Sequence, residues 1–378
     1  MSNQYAMLHL DNVLSNAKSG DHLSSDEIRF LLELKDKKDI NKLFRTAREL
    51  RQQYFDDTIF LYGFVYFSTW CQNNCSFCFY RKSNSVATRY RKPNREIIEI
   101  ARQLFESGVH LIDLTMGEDP FYYQNSQSFL ELAEFVKEIK SETGLPVMVS
   151  PGVIPNNVLK ALAQAGADWY ACYQETHNRL LFHQLRVQQD YDERLIRKME
   201  ARRLGLLIEE GILTGIGDLP SDIVSSVQAM RLIGAHQVRV MSFIPQLGTP
   251  LQRLPRPPTG RELIITSVLR LLFPDRLIPA SLDVEGVKGL RSRLDAGANV
   301  VTSLVPPNSG LLGVAQNSLD IEEGSRTPAG VFPILMELGL RLGTRAQYES
   351  WMASFRKMEN TVAGLMGKAG YRQSADLS

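Results

Sequence analysis

Apolar and polar positions along this chain switch repeatedly between two rhythms. Short, nearly continuous apolar runs read as strands: Ile59–Ser68, Leu111–Met116, Val147–Ser150, Trp169–Gln174, Gly211–Gly215, Gln237–Phe243, Leu277–Leu282 and Val300–Val305. Between them lie segments with apolar residues at helical spacing. Arg95–Phe105 is the clearest, with Ile97, Ile98, Ile100, Ala101 and Leu104 on one side. Phe129–Ile139, Asn156–Ala165, Asp192–Leu204, Ser221–Ile233, Arg261–Leu272 and Val287–Asp295 follow the same pattern. Gly108, Gly166, Gly205 and Gly234 stand where several of these helices should end. Ser24-Ser-Asp-Glu27 is a capping signature within a helical stretch from about residue 10 to 56.

Eight strand–helix units in roughly 250 residues are the arithmetic of an α/β fold, a (β/α)8 TIM-type barrel. A doubly wound open sheet is the alternative, and eight near-equal repeats favour closure. The expected division is an N-terminal helical extension over 1–56, the barrel over 57–315 and a C-terminal helical extension over 316–378, broken by Pro328 and Pro333. The proline-rich run Arg253-Leu-Pro-Arg-Pro-Pro258 reads as a stiff connection within the barrel.

Composition narrows the class. Hydrophobic residues make up 44% of the 378 and charged ones 22%, as in globular proteins. A formal net charge of +1 gives no global field for nucleic acid or an anionic membrane. No apolar run approaches a membrane span, and no signal peptide is visible at the N-terminus, so the expected location is the cytoplasm.

Three of the four cysteines crowd into Cys71-Gln-Asn-Asn-Cys75-Ser-Phe-Cys78, just after the first strand. That spacing supplies three thiolates and no local fourth. An iron–sulfur cubane held by three cysteines keeps one iron open for chemistry. A zinc site would need a second pair of ligands, and the six histidines supply no such spacing. Four cysteines are too few for a disulfide framework. Cys172, in an apolar run, reads as a small buried hydrophobe.

Catalytic residues of a barrel come from the C-terminal ends of its strands. Those ends hold Asp113 and Met116-Gly117-Glu118, Ser150, Gln174-Glu175, Gly215 to Asp218, Arg239, and Ser281 with Asp283. Asp113, Arg239 and Asp283 interrupt apolar strands, and buried charges must be paired or bind something charged. One arginine, two aspartates and a hydroxyl suit a zwitterion with an extra amine. A structural ion pair across the barrel is the alternative. Glu118, Glu175 and Asp218 are also compatible with helix capping, and Gly215 with Gly217 can be a plain turn.

These residues resemble the radical S-adenosylmethionine (SAM) superfamily, in its biotin-synthase-like subgroup. The resemblance implies that Cys71, Cys75 and Cys78 hold a [4Fe-4S] cluster whose open iron binds S-adenosyl-L-methionine. It places Phe77 near the adenine. Met116-Gly117-Glu118 resembles the subgroup's Gly-Gly-Glu strand end; the first glycine is methionine here, so only the backbone role carries over. Gln174, Glu175 and Arg194 resemble the segment that binds the ribose and carboxylate of SAM. Gly211-x-Leu213-x-Gly215-x-x-Asp218 resembles the adenine-contacting motif, with aspartate for glutamate.

Within the subgroup, Ile112-Asp-Leu-Thr-Met-Gly-Glu-Asp-Pro120, Tyr173-Gln-Glu-Thr176 and Leu277-Ile-Pro-Ala-Ser-Leu-Asp283 resemble the methylornithine synthase family, the lysine mutases that begin pyrrolysine biosynthesis. That likeness implies isomerisation of L-lysine to 3-methyl-D-ornithine, with electrons from a donor such as ferredoxin or flavodoxin. It implies that Arg239 and Ser281 hold the substrate carboxylate, Asp283 the α-amino group and Asp113 the terminal amino group, with Ser150 in the same pocket. A hydrogenase-maturation-type enzyme of the same subgroup and a zinc-stabilised binding module are the rival readings. The basic loop Arg81–Lys92 reads as solvated, or as a cover or donor-docking element for the cluster.

Overall fold

The computed structural model describes residues 8–313 and 319–357. Eight strands follow one another: β1 (Thr58–Ser68), β2 (Leu111–Met116), β3 (Val147–Ser150), β4 (Trp169–Ala171), β5 (Leu207–Thr214), β6 (Gln237–Ser242), β7 (Pro279–Ser281) and β8 (Val300–Leu304). They lie in the order β6-β5-β4-β3-β2-β1-β8-β7 with every pairing parallel. The two ends of that path meet where Gln237 bridges Leu277. Val238 N–H donates to Leu277 O at 3.0 Å, and Leu277 N–H to His236 O at 3.2 Å. The sheet therefore closes through a narrow seam into the expected barrel. A short ninth strand, β9 (Arg341–Leu342), pairs with the start of β1.

Parallel neighbours require crossovers, and helices supply them on the outside. Those after β1 to β6 include Asn94–Ser107, Ser126–Thr143, Asn156–Gln164, Tyr191–Arg203, Pro220–Ile233 and Thr259–Leu272. Gly108 and Gly234 end two of them with positive φ, 93° and 64°, where an L side chain would be strained. Three helices, Leu10–Ser19, Ser25–Leu32 and Lys37–Phe55, precede the barrel, and Ser24 with Glu27 forms the expected reciprocal cap.

Several elements differ from the periodicity reading, β4 among them, which ends at Ala171 and not at Gln174. β5 begins at Leu207, four residues ahead of expectation, because its Glu209 and Glu210 are both fully buried. A doublet of glutamates reads as surface, but here each carboxylate has a buried cation: Arg239 for Glu209 and Lys198 for Glu210. β7 stops at Ser281, whose hydroxyl caps a helical turn, Leu282–Glu285. Pro328 opens the helix Pro328–Glu337, taking the first position where no N–H is needed, and Pro333 sits inside it.

By its contacts the chain divides into two compact units, residues 1–342 and 343–378. The expected boundary at 56/57 falls inside the first unit. The one at 315/316 lies outside the described residues. In the second unit residues 345–357 are helical, started by a reciprocal cap between Thr344 and Gln347.

The core also buries Glu262 against Arg293, both about 2% exposed, with Nε to Oε1 at 2.6 Å and Ser242 N–H donating to Oε2 at 3.0 Å. Removing one partner of such a pair leaves a buried charge uncompensated, which costs about 3–5 kcal/mol. Arg293→Met should lower the denaturant midpoint accordingly, and adding Glu262→Gln should recover part of the loss.

Candidate active site at the mouth of the barrel

The C-terminal ends of the strands open onto one cavity of about 230 Å³. Cys71, Cys75, Phe77 and Cys78 line one side of it. Asp113, Met116, Gly117, Glu118, Ser150, Glu175, Arg194, Arg239 and Asp283 line the rest. Residues from six strand ends, far apart in the chain, are thus brought together.

The cysteine loop is tied down on several sides. Gly117 N–H donates to Ser68 O at 3.0 Å and Gln72 N–H to Glu118 O at 2.8 Å, joining it to the end of β2. Ser76 N–H donates to Leu185 O at 2.7 Å and Lys82 N–H to Asn73 O at 2.7 Å. A Cβ on Gly117 would lie 2.2 Å from Trp70 O and 2.9 Å from Cys71 Cβ, so only glycine lets the loop approach β2 this closely. The Arg89 guanidinium donates to the carbonyls of Tyr80 and Arg81 at 2.8 and 2.6 Å. Arg91 pairs with the buried Asp119 through Nε at 2.7 Å and Nη2 at 2.6 Å. Two cations of the supposedly solvated loop are therefore struts of the cluster loop.

The thiols are crowded and mostly buried. Burial pushes Cys71 up to about 12, aided by Glu118 and Cys75, and pushes Cys78 up as well, aided by Cys75 and Cys71. Three thiolates packed together need a cation, and the irons of a cluster are cations that thiolates hold. Among the described residues no three His, Cys, Asp or Glu side chains converge on a single-ion site. A cubane needs no such convergence, because each cysteine binds its own iron. The donor set thus fits a four-iron cluster better than one zinc ion.

Behind Cys75 lies an ion-pair relay that sequence reading passed over. Gln189 Nε2 and Arg186 Nη1 stand 3.0 and 3.7 Å from its sulfur. Arg186 also holds Glu175 at 2.7 Å. Glu175 has φ +66°, a left-handed conformation fixed by its backbone bonds to Gly211 and Leu213 of β5. Arg194 reaches Glu118 at 3.4 Å and donates to Tyr173 O at 2.8 Å. Cys172 lines the same cavity.

Deeper in the barrel the charges are paired, but incompletely. Arg239 Nε donates to Glu209 Oε1 at 2.7 Å, and Tyr173 OH donates to Glu209 Oε2 at 2.7 Å. Arg239 Nη2 is buried without a partner among the described residues. Asp113 Oδ1 accepts from Ser150 at 2.8 Å and Thr115 at 3.0 Å, while its Oδ2 is buried and unpartnered. Burial first, and Glu209 second, push Asp113 up to about 7. Asp283 Oδ2 accepts from Tyr66 and Ser303, each at 2.9 Å, and Oδ1 pairs with the buried Arg326 at 2.9 Å.

Four expected residues stand elsewhere. Gln174 is fully buried beside the cavity wall, holding Tyr191 O and Lys198. Gly215 makes room for Pro257, whose Cγ would lie 2.3 Å from an added Cβ. Asp218 closes its own turn on Gly215 and Ile216 and pairs with Arg261 at 2.8 Å. Ser281 accepts from Asp283 N–H at 3.3 Å, behind the cavity. Glu209, Arg186, Gln189, Ser303 and Arg326 were missed. The Glu209-Glu210 doublet beside an apolar run was the available signal for the first; Arg326, far beyond the barrel strands, offered none.

Comparison with known proteins agrees with this geometry. Residues 65–230 match the radical SAM superfamily. The 3-methylornithine synthase of Methanosarcina barkeri is 42% identical over 350 residues, covering 93% of this chain and 99% of that protein. The chain belongs to the 3-methylornithine synthase family of radical SAM enzymes. A crystal structure of methylornithine synthase superposes with a TM-score of 0.85, covering 90% of this chain and 99% of that one. The FeFe-hydrogenase maturase subunit HydE of Thermotoga maritima is 31% identical over 68% of this chain and 74% of its own length. Members of this family work with a [4Fe-4S] cluster and SAM, and these are the cofactors of the chain. Among the described residues no helix is long and apolar enough to cross a membrane.

Gly117→Ala should push Trp70 and Cys71 off β2. After anaerobic reconstitution it should hold less than half the iron of the unaltered protein, read by iron and sulfide analysis.

Proposed function

We propose that this enzyme isomerises L-lysine to 3-methyl-D-ornithine, the carbon-skeleton step that opens pyrrolysine biosynthesis. Cys71, Cys75 and Cys78 hold the cluster, and Phe77, Met116, Gly117, Glu118, Glu175 and Arg194 surround SAM. Bound together, the two cofactors would supply a carbon radical able to take hydrogen from an unactivated C–H bond, one electron from an external donor being consumed in forming it.

The observation that carries the lysine reading is that Arg239 and Asp113, which line one cavity, each keep a buried charged-group atom unpartnered among the described residues, Nη2 and Oδ2. The first wants an anion and the second a cation. Arg239 takes the substrate carboxylate, held in place by Glu209. Asp113 takes the terminal ammonium. Asp283 takes the α-ammonium, with Tyr66, Ser303 and Arg326 holding its carboxylate and Ser281 holding its turn. Glu209, Asp113 and Asp283 against Arg239 and Arg326 leave one net negative charge, complementary to lysine. Apolar walls from Phe64, Leu213, Met241 and Phe243 keep water from a reactive carbon centre.

The direct test is anaerobic incubation of reconstituted enzyme with SAM, a strong reductant and labelled L-lysine. A product of unchanged mass that co-elutes with 3-methylornithine, and is lost in Cys75→Ala, is the expected result. SAM cleavage with intact lysine would sink the lysine assignment.

Asp113 must be ionised to hold an ammonium. With its carboxyl near 7, lysine affinity should fall about tenfold from pH 8 to pH 6. Asp113→Asn should bind more weakly and show a flat profile, both read by calorimetry on the SAM-loaded enzyme.

A further inference from the structure

The reaction needs electrons, and the surface over the cluster loop is unlike the rest of this nearly neutral chain. Two separate segments build it. Residues 79–95 carry Arg81, Lys82, Arg89, Arg91, Lys92 and Arg95 and no carboxylate. Residues 244–261 carry Arg253, Arg256 and Arg261 and again no carboxylate.

Both segments are bonded to the cysteine loop itself. Lys82 N–H donates to Asn73 O at 2.7 Å, and Ser83 N–H to Asn74 Oδ1 at 3.0 Å, within the stretch between Cys71 and Cys75. Leu251 N–H reaches Ser76 O at 3.4 Å, between Cys75 and Cys78. Asn84 joins the two segments to each other, donating to Phe79 O at 3.0 Å and Leu247 O at 2.9 Å. A Cβ on Gly248 would lie 2.9 Å from Val86 Cγ2, so Val86 and Leu247 are neighbours across that junction. They are 50% and 67% exposed.

Some of the cations are already used. Arg89 and Arg91 brace the loop, Lys92 pairs with Glu96 at 2.9 Å, and Arg261 pairs with Asp218. Arg81, Lys82, Arg95 and Arg253 have no carboxylate partner among the described residues. Glu285, 3.9 Å from Arg256, is a further acid contributed by a neighbouring element, so cations outnumber acids on this face without excluding them. Exposed apolar residues beside unpaired cations form the surface that a negatively charged protein recognises. The apolar centre supplies contact and the cations steer encounter.

We infer that the face built by residues 79–95 and 244–261 docks an acidic one-electron carrier protein over the cysteine loop. The inference rests on the assignment of the cluster to Cys71, Cys75 and Cys78. The bound carrier delivers one electron through the loop to the oxidised cluster, and the carrier is itself oxidised by one electron. The unpaired cations make that encounter dependent on ionic strength.

The test uses the reconstituted holoenzyme, after iron, sulfide and electron paramagnetic resonance have established its cluster. Cluster reduction is followed anaerobically with two reductants: an acidic reduced flavodoxin, and a photoreduced deazaflavin too small to need a docking face. Lys82→Glu/Arg253→Glu should slow reduction by flavodoxin at least tenfold and remove most of its salt dependence, with deazaflavin reduction unchanged. Leu247→Gln should slow the flavodoxin reaction with its salt dependence kept. Equal flavodoxin rates in the variants and the unaltered enzyme would overturn the docking face. So would equal losses with both reductants, which would place the damage in the cluster loop itself. A holoenzyme without four irons would remove the cluster assignment and this inference with it.

Discussion

The buried ion pair between Arg239 and Glu209 sets what the inside of this barrel can be. Its Nε–Oε1 contact of 2.7 Å lies where water cannot neutralise either charge, so each needs the other. Glu209 spends both oxygens, one on Arg239 and one on Tyr173. Arg239 spends only part of its guanidinium, and Nη2 stays unmatched. The same incompleteness recurs at Asp113, where two hydroxyls satisfy one carboxylate oxygen and none reaches the other. An interior that pairs its charges fully would be only structural. This one leaves an anion seat and a cation seat in a shared cavity.

The pairing also explains how strands bearing so much charge remain in a barrel core. β5 runs through two adjacent glutamates because they point to opposite faces of the sheet. Glu209 meets Arg239 and Tyr173, while Glu210 meets Lys198, Gln174 and His177. Burial drives His177 down to about 4, so it stands uncharged beside Tyr191. One face of β5 thus builds the cavity, and the other anchors the helix Tyr191–Arg203, which in turn carries Arg194 to Glu118.

The cysteine loop depends on close backbone approach more than on charge. Gly117 admits Trp70 and Cys71 to the end of β2, while Arg89 bonds the chain just past Cys78 and Arg91 pairs with Asp119 at that same end of β2. Those two arginines also belong to a segment, residues 79–95, that carries no carboxylate of its own. Holding the cysteines in place and presenting a positive face are therefore properties of the same segment.

The amino-acid sequence by itself determined the local pieces. The apolar runs placed β2 and β3 at their observed bounds, and the capping pair Ser24–Glu27 was readable because a cap is made by residues three apart. The cysteine spacing was readable for the same reason: the three thiols lie in one loop. The strand-end residues that line the cavity were named one by one, because a barrel gathers its strand ends whatever the chain between them. Which partners those residues take was decided only by the tertiary structure. Arg239 with Glu209 is a contact between neighbouring strands, Asp283 with Arg326 spans 43 positions, and Arg186 reaches Cys75 across 111. Asp218 and Gln174 look the same in sequence as Glu118 and Glu175, yet their side chains turn into a tight turn and a buried network. Charge pairing at a distance has no period along the chain, so it is visible only once the barrel closes.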